Sequence, residues 1–275
     1  MSLQLMYITN NLNVALIAQK YGVDRIFIDL ETLGKEERQR GMNTVKSKHS
    51  IADISVIKNH MHSSSVLVRV NPWNENSPLE IKQVIESGAD IIMLPMWKTL
   101  EEVECFIREV HSKAKVMLLL ETQQAVECLD EVLKLKGIDE IHIGLNDLHL
   151  SYGLTFMFEL LANGTVERLC EKIRCAGIPY GFGGIARLGA GDLPAEKILM
   201  EHYRLGSSFA ILSRSFCNAE VVENLQKIEE IFKVHLKAIR DFEKSLSYKA
   251  AVDFEKNKDE LRCIVENIVG RKHHG

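Results

Sequence analysis

An α/β fold of the (β/α)8 TIM-barrel class, with additional C-terminal helices, is what this sequence predicts. Short apolar segments rich in Ile, Val and Leu recur along the chain and alternate with amphipathic segments. The apolar segments show little alternation of polar and apolar residues, which is typical of parallel strands buried on both faces. A chain of 275 residues is long enough for one such barrel.

Eight segments have the composition of strands and are separated by segments with helical periodicity. The predicted strands are residues 4–8, 25–30, 65–71, 91–94, 115–120, 140–144, 179–183 and 207–212. The predicted helices are residues 14–21, 78–87, 100–112, 124–136, 165–176 and 195–203. Several helices end on glycine just before the next strand, as at Gly22, Gly88 and Gly137, and glycine closes a helix at low cost.

A doubly wound open sheet is the alternative fold. It would require a glycine-rich phosphate turn after the first strand, and residues 9–13 contain no glycine. The sequence therefore favours the barrel.

Two long helical segments follow the predicted barrel, at residues 219–246 and 250–269. One helix completes the barrel, and the surplus is expected to cap its bottom, pack on a neighbouring subunit or exchange between subunits. We predict a single domain over residues 1–275, with the barrel at about 4–218 and a helical extension at about 219–270. The surplus helices also predict a homo-oligomer.

The composition excludes several classes of partner. A net charge of −4 gives no electrostatic footprint for nucleic acid, and no apolar run approaches the ~20 residues of a membrane span. The six cysteines form no CxxC pair and are interpreted as reduced, mostly buried thiols. We expect a cytoplasmic protein with a small-molecule substrate and no nucleic-acid or membrane partner.

Two of the predicted strands are each followed by a carboxylate. Glu121 follows strand 115–120, and Asp147 follows strand 140–144. Because parallel strands end on the same rim of a barrel, we expect these carboxylates to lie side by side. Two hard oxygen ligands, with room for substrate and water, suit a Mg²⁺ or Mn²⁺ site.

Other charged residues follow neighbouring strands. Arg69 lies in an otherwise apolar strand, where it binds either a substrate oxygen or, in an internal salt bridge, Asp29 or Glu31. Both interpretations stay open. Gly183-Gly184 followed by Arg187 fits an anion-binding turn, and a tight turn that needs positive φ explains the glycines equally well.

Five motifs in order resemble the family of class II (metal-dependent) pyruvate aldolases, which also contains the citrate lyase β subunit. They are FIDLE at 27–31, VRVNP at 68–72, GADIIMLPM at 88–96, LLLET at 118–122 and IDEIHIGLNDLHLSYG at 138–153. The resemblance covers about residues 4–215 and includes enzymes similar to 4-hydroxy-2-oxo-heptanedioate aldolase.

The resemblance implies a divalent metal, Mg²⁺ or Mn²⁺, on Glu121 and Asp147, chelated by the keto and carboxylate oxygens of pyruvate. Arg69 would stabilise the charge that develops on the enolate oxygen. Backbone N–H groups around Asn146 and Asp147 would hold the substrate carboxylate. The implied reaction is aldol or retro-aldol chemistry of a 4-hydroxy-2-oxo acid, or cleavage of a malyl- or citryl-type thioester in the lyase branch.

The chain also departs from the family pattern. Many of the aldolases carry an acid/base histidine shortly after the strand-two aspartate, where this chain reads Asp29-Leu30-Glu31-Thr32-Leu33. Glu31, Asp29 or a metal-bound water is then the candidate base, and His149 and Arg187 are candidate substrate contacts. Three hypotheses remain: a metal-dependent 2-oxo acid lyase (aldolase), an acyl-CoA lyase acting on malyl- or citramalyl-CoA, and a non-catalytic barrel that keeps the metal pair as a binding module.

Overall fold

A computed structural model describes residues 2–34, 49–219, 221–222 and 224–274. Its sheet is a closed barrel in which the strands follow one another in chain order, and the predicted fold class is confirmed. The strands are β1 (Gln4–Ile8), β2 (Arg25–Asp29), β3 (Ser65–Arg69), β4 (Ile91–Leu94), β5 (Lys115–Leu120), β6 (Glu140–Ile143), β7 (Tyr180–Ile185) and β8 (Phe209–Leu212).

Helices connect the strands and extend the chain beyond β8. They are α1 (Leu12–Lys20), α2 (Ile51–Lys58), α3 (Ser77–Glu86), α4 (Leu100–Val110), α5 (Gln123–Glu127), α6 (Leu129–Val132), α7 (Leu145–Ser151), α8 (Glu159–Ala162), α9 (Thr165–Cys175), α10 (Ala195–Leu205), α11 (Leu225–Leu246) and α12 (Ala251–His274). None of these described helices is long and apolar enough to cross a membrane.

The chain divides into two compact units, residues 7–141 and residues 1–6 with 142–275. In the first unit, β2 pairs in parallel with β3, β3 with β4, and β4 with β5. Every residue of β2 and β4 is buried, as expected for parallel strands covered on both faces. The prediction of a single domain stays a prediction.

A buried ion pair joins the beginnings of β2 and β6 in this unit. The guanidinium of Arg25 binds the Glu140 carboxylate with both of its terminal nitrogens, and the Nη2–Oε1 distance is 2.8 Å. Arg25 is only 4% exposed and Glu140 only 5%, so the ion pair compensates two buried charges, and Lys115 Nζ also lies 3.8 Å from Glu140 Oε1.

In the second unit, β7 pairs in parallel with β8, and a register shift lies between Gly181 and Gly184. A Cβ atom at Gly181 would come within 2.1 Å of the Phe209 carbonyl oxygen, so this close approach of backbones requires glycine. Helix α12 packs on α10 and α8 of its own chain. Asn257 supports that packing, because its Nδ2 donates to the Lys197 carbonyl at 3.1 Å.

Two helix predictions were wrong in detail. The helix predicted at 219–246 begins at Leu225, because the Asn224 side chain accepts hydrogen bonds from two backbone N–H groups of the first turn and caps the helix there. The helix predicted at 124–136 is two short helices, α5 and α6, with Cys128 between them.

Candidate functional site

Arg69 and Asp29 form the centre of a buried charged cluster in the first unit. They are register partners at the ends of β3 and β2. Arg69 Nε donates to Asp29 Oδ1 and Nη2 donates to Asp29 Oδ2, both at 2.9 Å. Nη2 also lies 3.3 Å from Glu31 Oε2. The internal salt bridge of Arg69 is therefore present with both predicted partners, and its substrate contact stays a prediction.

The charged form of the Arg69 guanidinium is strongly favoured. Burial alone lowers the pKa of Arg69, but the charges of Asp29, Glu31 and Glu121 outweigh burial and raise the pKa above its ordinary value. The guanidinium also lies over the ring of Phe27, with Cζ 5.7 Å from the ring centroid. Arg69 is a permanent cation in a group of three carboxylates.

A polar side chain just after β3 holds the backbone that directly follows Glu31. The Asn71 Oδ1 atom accepts hydrogen bonds from the backbone N–H groups of Thr32 at 2.9 Å and Leu33 at 3.0 Å. Asn71 is held in turn by Glu80 of α3, whose carboxylate accepts from Asn71 Nδ2 at 2.8 Å. Thr32 and Leu33, which follow Glu31, are therefore held by a side chain of the protein itself.

Glu121 lies directly after β5 and is 2% exposed. Its Oε1 atom accepts the backbone N–H of Met96 at 3.0 Å. Met96 follows β4 and has a positive φ of 54°, which is unusual for a residue other than glycine. A backbone N–H just after the neighbouring strand β4 therefore sets the orientation of the buried Glu121 carboxylate.

His49 is a site residue that the sequence reasoning missed. Its Nδ1 atom accepts the backbone N–H of Asp29 at 2.8 Å, although the two residues are 20 positions apart. One sequence signal was available: Ser50 and Asp53 form a capping box at the start of α2. In a βα unit the residue just before such a cap lies near the C-terminal end of the preceding strand.

The other predicted site residues lie in the second unit. Asp147 is half-buried in the first turn of α7, next to the exposed Asn146. His149 is buried on the same helix, and its Nδ1 lies 3.2 Å from the Leu145 carbonyl oxygen. The roles predicted for these residues stay predictions.

The glycine pair Gly183-Gly184 lies within β7, at the register shift of that strand. Gly183 has a φ of +52°, and a Cβ atom there would meet the Leu145 side chain at 2.7 Å. Arg187, which follows the pair, donates from Nε to the Ser215 carbonyl at 3.2 Å. The expected positive φ therefore accounts for Gly183, but it occurs in a strand and the predicted turn at this pair was wrong; the contact of Arg187 with substrate stays a prediction.

Glu121 suits a hard divalent cation. It offers carboxylate oxygen, which Mg²⁺ and Mn²⁺ prefer, and its orientation is fixed by the Met96 N–H. Within the described residues, no group of three or more His, Cys, Asp or Glu side chains is arranged to hold a metal ion. The predicted metal pair, Glu121 and Asp147, has one member in each compact unit.

A family model and several known proteins match this chain. Residues 4–174 match the family model described as HpcH/HpaI aldolase/citrate lyase. The 2-keto-3-deoxy-L-rhamnonate aldolase of Escherichia coli K12 is 26% identical over 151 residues, covering 42% of this chain and 55% of the relative. The chain thus spans about half the length of the curated relatives it matches.

Solved structures give the same fold at lower identity. A crystal structure of an HpcH/HpaI aldolase from Desulfitobacterium hafniense DCB-2 is 16% identical, with a TM-score of 0.61 over 83% of this chain and 93% of that one. A protein from Burkholderia cenocepacia J2315, titled as an HpcH/HpaI aldolase/citrate lyase family protein, is 15% identical. Its TM-score is 0.63 over 82% of this chain and 95% of that one.

Proposed function

The chain belongs to the HpcH/HpaI aldolase/citrate lyase family, and on that basis we propose that it is a divalent-metal-dependent carbon–carbon lyase. It would cleave or form a 2-oxo acid through a pyruvate-type enolate. The observation that carries this proposal is the guanidinium of Arg69, held by Asp29 and Glu31 at the end of β3. A fixed positive charge stabilises an enolate oxygen as its negative charge develops.

The bonds to Asp29 and Glu31 determine which N–H groups of Arg69 are proposed to bind the substrate. Arginine has five N–H donors, and those on Nε and Nη2 are directed at Asp29 and Glu31. The two N–H groups on Nη1 are therefore the proposed donors to the enolate oxygen. Because the guanidinium is already fixed, it needs no reorganisation when the charge appears.

Glu121 and Asp147 are the proposed protein ligands of Mg²⁺ or Mn²⁺. When bound, such an ion polarises the keto group and stabilises the negative charge of the enolate. The backbone N–H groups around Asn146 and Asp147 are proposed to bind the substrate carboxylate, as the family resemblance implies. His149 and Arg187 remain proposed contacts for the rest of the substrate.

Glu31 is the better candidate for the catalytic base. In retro-aldol cleavage the base removes the proton of the 4-hydroxyl group as the C3–C4 bond breaks, and the bonding electrons pass to the keto oxygen as an enolate. A proton delivered to C3 then completes the methyl group of pyruvate. Both Asp29 oxygens accept bonds of 2.9 Å from Arg69, whereas the contact between Glu31 Oε2 and Arg69 Nη2 is longer, at 3.3 Å. Charge-assisted bonds to both oxygens make Asp29 the weaker proton acceptor.

The experiment is pyruvate release from short 4-hydroxy-2-oxo acids, measured with a coupled lactate dehydrogenase assay. We expect activity with Mn²⁺ or Mg²⁺ that is lost after EDTA treatment and restored by the metal, and a loss of at least about 100-fold in Glu121→Ala. Release that survives EDTA, or that Glu121→Ala leaves unchanged, would contradict the proposal.

The base is tested by exchange of the pyruvate methyl protons with deuterium, followed by proton NMR. Wild-type protein with Mn²⁺ should catalyse this exchange, and Glu31→Gln should abolish it because the amide cannot accept the proton. Exchange by Glu31→Gln at the wild-type rate would show that another group is the base. The same experiment tests the non-catalytic alternative, which predicts no exchange in the wild type.

An acyl-CoA lyase is the second candidate, because Asp29 and Glu31 form an acidic pair at the strand-two position. Cleavage of malyl-CoA or citramalyl-CoA separates this candidate from the aldolase. If the protein neither binds CoA nor cleaves these thioesters, the second candidate is removed.

A further inference from the structure

We propose that the turn at Met96 and Trp97 positions the Glu121 carboxylate, so that Met96 and Thr122 set the affinity of the metal site without being ligands. Two adjacent residues after β4 bond two adjacent residues after β5. The Met96 N–H donates to Glu121 Oε1 at 3.0 Å, and Thr122 Oγ1 donates to the Trp97 carbonyl at 2.8 Å. This inference rests on the proposed function, because it takes Glu121 as a metal ligand.

The backbone of Met96 is in an unfavourable conformation at this position. Its φ of 54° lies in the left-handed region, which residues with a Cβ atom seldom adopt. The other described non-glycine residues with positive φ, His111 and Ser112, lie in the turn after α4. Strained backbone is retained where the surrounding structure enforces it, and such residues cluster at functional sites. Met96 is such a strained residue, and its backbone N–H donates to Glu121, the proposed metal ligand.

The residues that form these two hydrogen bonds are buried, which limits their motion. Trp97 is 1% exposed and Thr122 is 3% exposed. The Thr122 hydroxyl also accepts the Ala125 N–H at 3.0 Å, so it is used as both donor and acceptor. Glu121 therefore has its backbone anchored on one side by Thr122 and one carboxylate oxygen fixed by Met96.

A fixed carboxylate should bind a cation more tightly than a mobile one. Residues that orient a metal ligand typically contribute 10–100-fold to affinity. Because the Met96 N–H holds Oε1, the Glu121 carboxylate keeps one orientation, in which it would hold the ion. The residues of this turn are thus positioning residues, acting through Glu121.

The test measures Mn²⁺ binding to the full chain without substrate, with unbound Mn²⁺ quantified by electron paramagnetic resonance. Thr122→Val removes both hydroxyl bonds at nearly constant volume and should weaken Mn²⁺ binding about 10-fold or more. Thr122→Ser keeps the hydroxyl and should stay within about twofold of the wild type. Circular dichroism checks that each variant is folded.

Two substitutions at Met96 test the backbone conformation separately. Met96→Val should weaken binding, because a β-branched residue disfavours a positive φ and so displaces the N–H. Met96→Gly should keep the wild-type affinity, because glycine adopts this φ freely and retains the N–H. Should Thr122→Val fail to fold, the Met96 pair decides the question alone.

The outcomes distinguish this inference from the function on which it rests. Wild-type affinity in both Thr122→Val and Met96→Val would overturn the positioning role and leave the metal site standing. A wild-type chain that binds no Mn²⁺, or a Glu121→Gln variant that binds it as well as the wild type does, would overturn the ligand role of Glu121 and this inference with it.

Discussion

Lowering the pH from 7.5 to 5 should destabilise this protein by about 2 kcal/mol through one buried histidine, His202. His202 lies on α10, is completely buried, and stacks on Phe182 with 3.9 Å between ring centroids. Its Nδ1 is 2.8 Å from Ser207 Oγ, whereas its Nε2 has no hydrogen-bond partner among the described residues. Burial first, and then the nearby charge of His142, lower the pKa of His202 from 6.5 to about 3.

The size and sign of the effect follow from this pKa. The unfolded chain binds a proton at His202 below pH 6.5, whereas the folded chain does not until about pH 3. Between these values the unfolded state holds more protons, so stability falls as the pH falls, by about 1.4 kcal/mol per pH unit well inside the window. Between pH 6.5 and pH 5 the free energy of unfolding therefore falls by about 2 kcal/mol in total.

Urea denaturation followed by circular dichroism, at pH 7.5 and pH 5, measures this difference. His202→Asn does not titrate and should lose about 2 kcal/mol less than the wild type between the two pH values. His62→Gln, at an exposed histidine, is the control and should behave as the wild type does. If the wild type and His202→Asn lose the same stability, the argument from burial is wrong.

Three further predictions concern the ion pairs of Arg69 and Arg25 and the hydrogen bond of His49. Arg69→Lys should lower kcat by about 100-fold because lysine cannot reproduce the fork held by Asp29, and steady-state kinetics that show only a KM change would contradict this. Arg25→Met should cost about 3 kcal/mol in urea denaturation, because the buried Glu140 then keeps just the more distant, exposed amino group of Lys115 at 3.8 Å among its ion pairs in the described residues, and adding Glu140→Met should recover most of the loss. If the double variant is no more stable than the single one, that account fails. His49→Ala should cost about 1 kcal/mol by leaving the Asp29 N–H without its acceptor, and His49→Asn should restore the melting temperature; equal melting temperatures for the two variants would refute this.

The positions of most strands could be predicted from the sequence, because burial on both faces requires an apolar composition. Strand β4 was predicted with its observed bounds, 91–94, since a strand covered on both faces must be apolar throughout. Helix α11 was predicted too long because amphipathic periodicity does not mark a helix start. The cap at Asn224 marks it, and that signal is a single residue.

The site was predictable where its residues follow neighbouring strands. Asp29 and Arg69 are register partners, so strand order alone brings them together. The contact of His49 with the Asp29 N–H joins residues 20 positions apart, and no periodicity of the sequence encodes it. The φ of Met96 is equally hidden, because methionine carries no preference for the left-handed region.

The charge balance of the first unit links the fixed guanidinium to the proposed metal. Asp29, Glu31 and Glu121 all act on Arg69, so three carboxylates surround one cation and the cluster carries excess negative charge. A 2-oxo acid is itself an anion and would be repelled by this cluster. A divalent cation on Glu121, as proposed, would offset that repulsion, while the two bonds to Asp29 hold Arg69 in its present orientation. In the proposed site, the salt bridge between Asp29 and Arg69 would therefore keep the guanidinium and the metal as two separate positive charges, both acting on the oxygen of the reacting keto group.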